Sequence, residues 1–324
     1  MKWWRDLLLA LAAAPAAMLC VAPVLAFDLQ GHRGARGLLP ENTLPSFERA
    51  LALGVTTLEL DIAITSDGVL VISHDPALNP DITRDASGRF LDERGPLIHS
   101  MTWAQLQTYD VGRLKPGTAY ARLYPEQQPI DGLRIPRLSD LFELVKRSGD
   151  DKVRFAIETK LVPDKPAETP APEAFARAVV EEIRKAGMAG RSQILSFDWR
   201  TLQVVQKIAP ELATVYLTIQ RRFDNIGAGR PEGSLWTAGF QYRDHGSVPK
   251  MIKAAGGSHW SVFFHDLTPA LAKEAQALGL KVLVWTVNEP AEMEKMLGYG
   301  IDGLITDRPD LARKLLESRG IRWR

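Results

Sequence analysis

TLELDIAITSDGVLVISHD, residues 57–75, holds two short apolar runs on either side of a Ser-Asp-Gly turn, and its reading decides the fold. Runs suited to buried strands recur along the chain: DLQGH (28–32), TLELDIAI (57–64), VLVIS (69–73), VRFAIET (153–159), SQILSF (192–197), ATVYLT (213–218), HWSVFF (259–264), KVLVWTV (281–287) and DGLIT (302–306). Most alternate with helical patterns such as LPSFERALALG, PEAFARAVVEEIRKAG, PALAKEAQALG and PAEMEKMLGYG, each closing on the glycine that commonly follows a helix C-terminus. Alternation of this kind, without an obvious linker or internal repeat, predicts an α/β protein with a (β/α)8 TIM barrel; an open doubly wound sheet is the competing architecture.

Nine candidates exceed eight barrel slots. Only IAITSDG separates Asp61 from Val69, too short for a crossover between parallel neighbours. Ser66-Asp67-Gly68 therefore reads as a hairpin turn, which sets Asp61 opposite Ser73 and brings His74 beside Glu59 and Asp61. Residues 75–136 are rich in Pro, Gly, Asp and Arg with little periodicity. They read as a loop-rich insertion after the third strand, on the face where barrel enzymes build their sites.

The composition, 45% hydrophobic and 24% charged, is that of an ordinary soluble globular protein. A net charge of +1 leaves no basic excess for general nucleic-acid binding. Lys2 and Arg5 precede the run LLLALAAAPAAMLCVAPVLA, which ends in Val24-Leu25-Ala26. That is the pattern of a signal peptide over residues 1–26, cleaved after about Ala26, which predicts a secreted or periplasmic protein. A retained anchor is the competing reading; Pro15, Pro23 and the alanine content favour cleavage, after which no stable membrane anchoring is expected. Leu19 before Cys20 argues against a lipoprotein. The remaining single domain, 27–324, carries 38 basic and 38 acidic residues and no cysteine, so it has no disulfide framework, thiolate nucleophile or cysteine-based zinc site.

Glu59 and Asp61 lie two apart on one strand and share a face, while Leu58, Leu60, Ile62 and Ile64 make the other face apolar. In a barrel strand the carboxylate face points inward, where charge must be paired, hydrated or on a metal. Glu158 ends FAIETK in the same way, with Lys160 two positions on. Three strand-end carboxylates suit one hard divalent cation, Ca²⁺ or Mg²⁺, rather than zinc. His32 in GHRG and His74 in ISHD stand at comparable strand ends beside Arg33 and Asp75, and read as a general acid and base. Arg33 and Lys160 add positive charge for an anionic, phosphate-bearing substrate. Gly31, Gly34 and Gly37 let the backbone turn beside it, and Thr43 is placed to cap the next helix. His99, His245, His259 and His265 lack such neighbours and are assigned no chemistry. A glycosidase has no use for two histidines and a cation, whereas phosphoryl chemistry does. No Walker-type or GxGxxG pattern points to a nucleotide.

HRGARGLLPENT resembles the opening signature of the glycerophosphodiester phosphodiesterase family, H-R-G-x-x-G-x-x-P-E-N-T, and ELDIAITSDGVLVISHD is similar to its second block. IETK, VWTVNEP and GIDGLITDRPD resemble later blocks, so the similarity runs from about residue 29 to 310, while 90–135 matches no block. The resemblance implies a metal-dependent barrel hydrolase that converts small-molecule glycerophosphodiesters to sn-glycerol 3-phosphate and an alcohol. It implies that Glu59, Asp61 and Glu158 hold the cation, that His32 and His74 are the acid–base pair, and that Arg33 and Lys160 bind phosphate. Glu41 would support these groups, and Trp285, with Phe197, would pack against the glycerol or the head group. The competing expectations are a related barrel phospholipase of C or D type acting on intact lipid, and a non-catalytic phosphodiester-binding barrel.

Overall fold

The structure, a computed structural model, describes residues 27–221 and 223–324. The expected leader, residues 1–26, and its cleavage point lie outside the described residues. All nine expected strands form: β1 (Asp28–Gly31), β2 (Thr57–Ile64), β3 (Leu70–Ile72), β4 (Arg154–Thr159), β5 (Ser192–Ser196), β6 (Ala213–Thr218), β7 (His259–Phe263), β8 (Lys281–Trp285) and β9 (Gly303–Thr306). Eight are parallel neighbours in the order β1-β9-β8-β7-β6-β5-β4-β2, and pairing of β1 with β2 closes the barrel. The four quoted helical patterns form helices at Leu44–Ala52 (α1), Pro172–Lys185, Pro269–Ala277 and Pro290–Gly298. The closed sheet rules out the open alternative.

The ninth strand sits where the hairpin reading put it. β3 runs antiparallel to the end of β2, with Ile62 opposite Ile72, and the Ser73 amide donates to the Asp61 carbonyl at 2.9 Å. β1 pairs with β2 only at Thr57 and Leu58, so β3 takes the edge that β1 leaves free higher up. Packing follows the strand alternation. Leu58, Leu60 and Ile62 face the helices in the main core, whereas Ala156, Leu195, Val215, Leu217 and Leu283 fill the barrel interior. The insertion builds a smaller core on the hairpin from Val71, Leu78, Ile98, Met101, Leu106, Val111 and Ile135.

Thr43 departs from its expected role. It occupies the N-cap position of α1 in extended conformation, but its hydroxyl donates to the Pro40 carbonyl at 2.6 Å rather than accepting from the helix. The turn before it is held by close approach. Gly34 has φ +86°, and a Cβ there would meet Ser46 Oγ at 2.6 Å and the Phe47 nitrogen at 2.9 Å on α1. Gly68, in the hairpin turn, has φ +81° with open space around it. Both substitutions to alanine strain the backbone, but only Gly34→Ala also collides with a helix. Gly34→Ala should lower Tm by about 5 °C or more, against about 1–3 °C for Gly68→Ala. Thermal denaturation measures both, and equal losses would place the whole constraint in the turn conformation.

Candidate active site

The C-terminal ends of the strands surround a cavity of about 180 Å³ lined by His32, Arg33, Arg36, Glu59, His74, Glu158, Lys160, Leu195, Phe197, Leu217, Trp285, Thr286 and Ile305. Strand register assembles its acidic floor. Asp61 on β2 is the direct neighbour of Glu158 on β4, and Glu59 lies beside the small Ala156. Glu59, Asp61 and Glu158 each offer one oxygen, all within 4.8 Å of one another, and all three residues are buried. Burial and the charges of its two neighbours push the Glu59 carboxyl well above the usual range. Burial likewise pushes Glu158 up, to about 7, against the pull of Lys160. Burial also works against the Asp61 charge, but Arg33, with Lys160, overcomes it and holds this carboxyl well below the usual range.

The cationic side chains are fixed around this floor. Lys160 Nζ lies 2.6 Å from Glu158 and 3.5 Å from Asp61. Arg33 follows β1 directly; its amide donates to Glu59 at 2.9 Å and its guanidinium to Glu41 at 2.7 Å. Its Nε is 3.1 Å from Asp61 Oδ2 but poorly aligned for a hydrogen bond, and Asn42 donates to that same oxygen at 3.0 Å. Asp61 Oδ1 is buried without a hydrogen-bond partner. Glu41 stands behind Arg33 rather than on the cavity wall, and Tyr120 of the insertion donates to its other oxygen.

Each histidine leans on a carboxylate. His32 Nδ1 is 2.7 Å from Asp307 and His74 Nδ1 is 2.8 Å from Asp75, which Asn79 fixes in turn at 2.8 Å. Carboxylates only accept, which favours the proton on Nδ1 and the free lone pair on Nε2 of each ring; at His32 the Arg36 guanidinium, a donor only, also lies 3.0 Å from Nδ1. Arg36 locks the first pair, donating to Asp307 at 2.8 and 3.1 Å while its guanidinium rests over the Tyr124 ring. Burial, reinforced by Arg36, lowers His32 to about 4, and burial with Arg33 and Lys160 lowers His74, so both are neutral near pH 7.

Charge balance tests the donor set. Glu41, Glu59, Asp61, Asp75, Glu158 and Asp307 are set against the three cations Arg33, Arg36 and Lys160. Negative charge is in excess, which a divalent ion would offset, and the oxygen donors are those of a hard cation. The residues therefore fit the group the sequence implied.

The structure thus brings together His32, His74, Glu59, Asp61, Glu158, Arg33, Lys160 and Trp285 around one cavity, with Glu41 one layer back. Sequence reasoning passed over Asp307, Arg36, Tyr120 and Asn42. For Asp307 a signal existed, since it directly follows β9, as Glu158 stands near the end of β4. A larger cavity of about 1090 Å³ opens at the other end of the barrel. Among its lining charges Arg154 pairs with Asp28 at 2.8 Å and Lys281 with Asp302 at 3.3 Å.

The comparisons agree with this geometry. A Caldanaerobacter subterraneus glycerophosphodiester phosphodiesterase is 28% identical over 293 residues, covering 89% of this chain and 97% of its own. A Bacillus subtilis glycerophosphodiester phosphodiesterase is 26% identical over 290 residues, covering 88% and 84%. The crystal structure of a candidate glycerophosphoryl diester phosphodiesterase from Silicibacter pomeroyi superposes with a TM-score of 0.82 at 36% identity, over 93% of this chain and 96% of that one. An Oleispira antarctica phosphodiesterase, solved in complex with the product sn-glycerol-3-phosphate, shares the fold with a TM-score of 0.64 at 21% identity, covering 90% and 96%. The profile of the glycerophosphoryl diester phosphodiesterase family matches residues 32–311, and the chain is a member of that family and an enzyme that hydrolyses glycerophosphodiesters.

Proposed function

We propose that hydrolysis proceeds by acid–base catalysis between His32 and His74 beside one Ca²⁺ or Mg²⁺ held by Glu59, Asp61 and Glu158, releasing sn-glycerol 3-phosphate and an alcohol. The observation that carries this reading is the pair of imidazoles, each with Nδ1 on a carboxylate, flanking a buried three-carboxylate floor. The product bound to the Oleispira antarctica protein supports the choice of product. A cation bound there would supply charge neutralisation at the phosphate. The chain's own groups do the rest. Arg33 and Lys160 hold the non-bridging phosphate oxygens. One imidazole takes the proton of the attacking hydroxyl at Nε2, and the other delivers a proton to the leaving oxygen. The arriving diester is anionic and raises both imidazole pKa values, which equips the second ring to carry that proton. Asp307 and Asp75 keep each Nε2 turned to the cavity.

His32→Ala and His74→Ala should each lose on the order of 10²–10⁴ in kcat with the fold intact. Asp307→Asn, which can offer Nδ1 a donor in place of an acceptor, should lose about tenfold or more through the wrong tautomer. Steady-state assays with glycerophosphocholine and circular dichroism check these; a near-normal rate removes that residue from the mechanism.

Cation binding has a pH signature of its own. Glu59 and Glu158 titrate above their unfolded values, so the stability they confer on the metal-free chain is full below about pH 4.5 and falls as pH rises, the Glu158 share being lost through about 7. A divalent ion relieves that loss. The Tm gain on adding Ca²⁺ or Mg²⁺ should therefore grow from about pH 5 to about pH 8, and EDTA should abolish turnover. A gain independent of pH, or turnover undiminished in EDTA, contradicts the site.

Residues 1–26 are proposed to direct export to the periplasm or the medium, on the strength of the basic, apolar and small-residue order of the leader. N-terminal sequencing of the exported protein should begin at Phe27; an intact leader on a membrane-bound chain would refute it.

A further inference from the structure

We propose that Tyr120, carried by the insertion, is a positioning residue for the phosphodiester: its hydroxyl fixes the Glu41 carboxylate, and through Glu41 it orients the Arg33 guanidinium toward the phosphate oxygens. The proposal rests on the hydrolase reading above and deepens its phosphate-binding part. HRGARGLLPENT holds Arg33 and Glu41 at fixed positions of the family signature. Tyr120 lies within 90–135, which matches no block, and Arg36 stands at a position the signature leaves open. The signature alone therefore does not contain this arrangement.

Glu41 is buried beside two guanidiniums. Its Oε1 accepts from Arg33 Nη1 at 2.7 Å, while Arg36 Nη1 lies 3.9 Å from Oε2. A carboxylate so placed can turn toward either cation. Tyr120 decides between them: its hydroxyl donates to Glu41 Oε2 and accepts from Arg36 Nη1 at 3.3 Å, so it bridges the second oxygen to the second cation. Burial and the Glu41 charge hold the Tyr120 phenol above its usual range, so it keeps the proton it donates. With Oε2 engaged, Oε1 stays on Arg33. Arg33 then turns its free edge to the cavity it lines, because Nη2 has no hydrogen-bond partner among the described residues.

Tyr120 is itself held from the insertion side. It lies in a short helix, Ala119–Leu123, whose N-cap Thr118 accepts from the Ala121 amide. Its ring meets Tyr124 edge-on at 5.3 Å, and the Tyr124 ring lies 4.7 Å from the Arg36 guanidinium. Just beyond, Gln127 donates to the Arg36 carbonyl at 2.8 Å and the Gln128 amide donates to the Leu38 carbonyl at 2.8 Å. The hydroxyl thus reaches Glu41 from a braced segment. Orientation matters here because a guanidinium fork meets phosphate oxygens along fixed directions. An Arg33 free to swing grips the diester less well before and during the reaction alike, so its loosening falls on KM rather than on kcat.

The test reads kcat and KM for glycerophosphocholine, and the inhibition constant of sn-glycerol 3-phosphate, in the cation-supplemented full chain. It compares the wild type with Tyr120→Phe, Glu126→Gln, Glu41→Gln and the double variant Tyr120→Phe/Glu41→Gln. Tyr120→Phe keeps the ring and loses only the hydroxyl. It should raise KM and the inhibition constant by roughly 5–30-fold, with kcat within about threefold of wild type. Glu126→Gln unties the same segment from Arg308 without touching Glu41, and should leave all three values within about twofold. The double variant should be no weaker than Glu41→Gln, since the hydroxyl acts through that carboxylate. Unchanged KM and inhibition constant in Tyr120→Phe overturn the inference, as do losses that multiply in the double variant. A fall in kcat alone also overturns it, by placing Tyr120 at the reacting atoms. So does an equal loss in Glu126→Gln, which would make anchoring of the segment the cause. Should Glu41→Gln fail to fold, Tyr120→Phe against Glu126→Gln decides. Wild type inert on glycerophosphocholine would instead sink the hydrolase reading beneath it.

Discussion

The site depends on one electrostatic constraint: three carboxylates, Glu59, Asp61 and Glu158, are buried within reach of one another in the mouth of a barrel. Unpaired, such a cluster would cost several kcal/mol per ion, and the raised protonation of Glu59 and Glu158 is the response available to the bare protein. Arg33 and Lys160 offset part of that charge. They are themselves placed by the acids they neutralise, Lys160 on Glu158 and Arg33 between Glu41 and Asp61. The remaining deficit leaves an acidic floor whose three oxygens could hold a divalent ion. In that balance stability and function are one problem.

Much of the backbone around the mouth serves to hold this arrangement. β1 ends early at Gly31, the chain turns through Arg33 and Gly34, and the vacated edge of β2 is taken by β3, whose end delivers His74. The insertion closes the same quarter from outside. Tyr120 reaches Glu41, Gln127 donates to the Arg36 carbonyl at 2.8 Å, and Glu126 pairs with Arg308 at 2.7 Å. A segment whose sequence matches no family block thus braces the residues whose sequence matches best.

The barrel and the acidic floor were legible in the sequence because both are written in local periodicity. The parity of Glu59 and Asp61 against Leu58, Leu60 and Ile62 tells which face is which, and a seven-residue gap admits only a hairpin. The carboxylates behind the histidines divide by sequence distance. Asp75 adjoins His74 and is visible; Asp307 is 275 residues from His32 and meets it only because β9 closes against β1. Thr43 shows the converse, a local signal overridden by a nearby acceptor, the Pro40 carbonyl.

The mouth is divided by strand order. β1, β2 and β4 with the β3 hairpin are neighbours in the barrel and supply the carboxylates of the floor, both histidines, Arg33 and Lys160. β5, β6 and β8, with Ile305 on β9, supply Leu195, Phe197, Leu217 and Trp285 and place no ionisable group in the cavity. An evenly mixed ring would surround the phosphate with water-bearing side chains on every side and weaken each charge interaction. The apolar half lowers the local dielectric across from the charged half, so fixed cations and hydrogen-bond donors act on the developing negative charge with little screening.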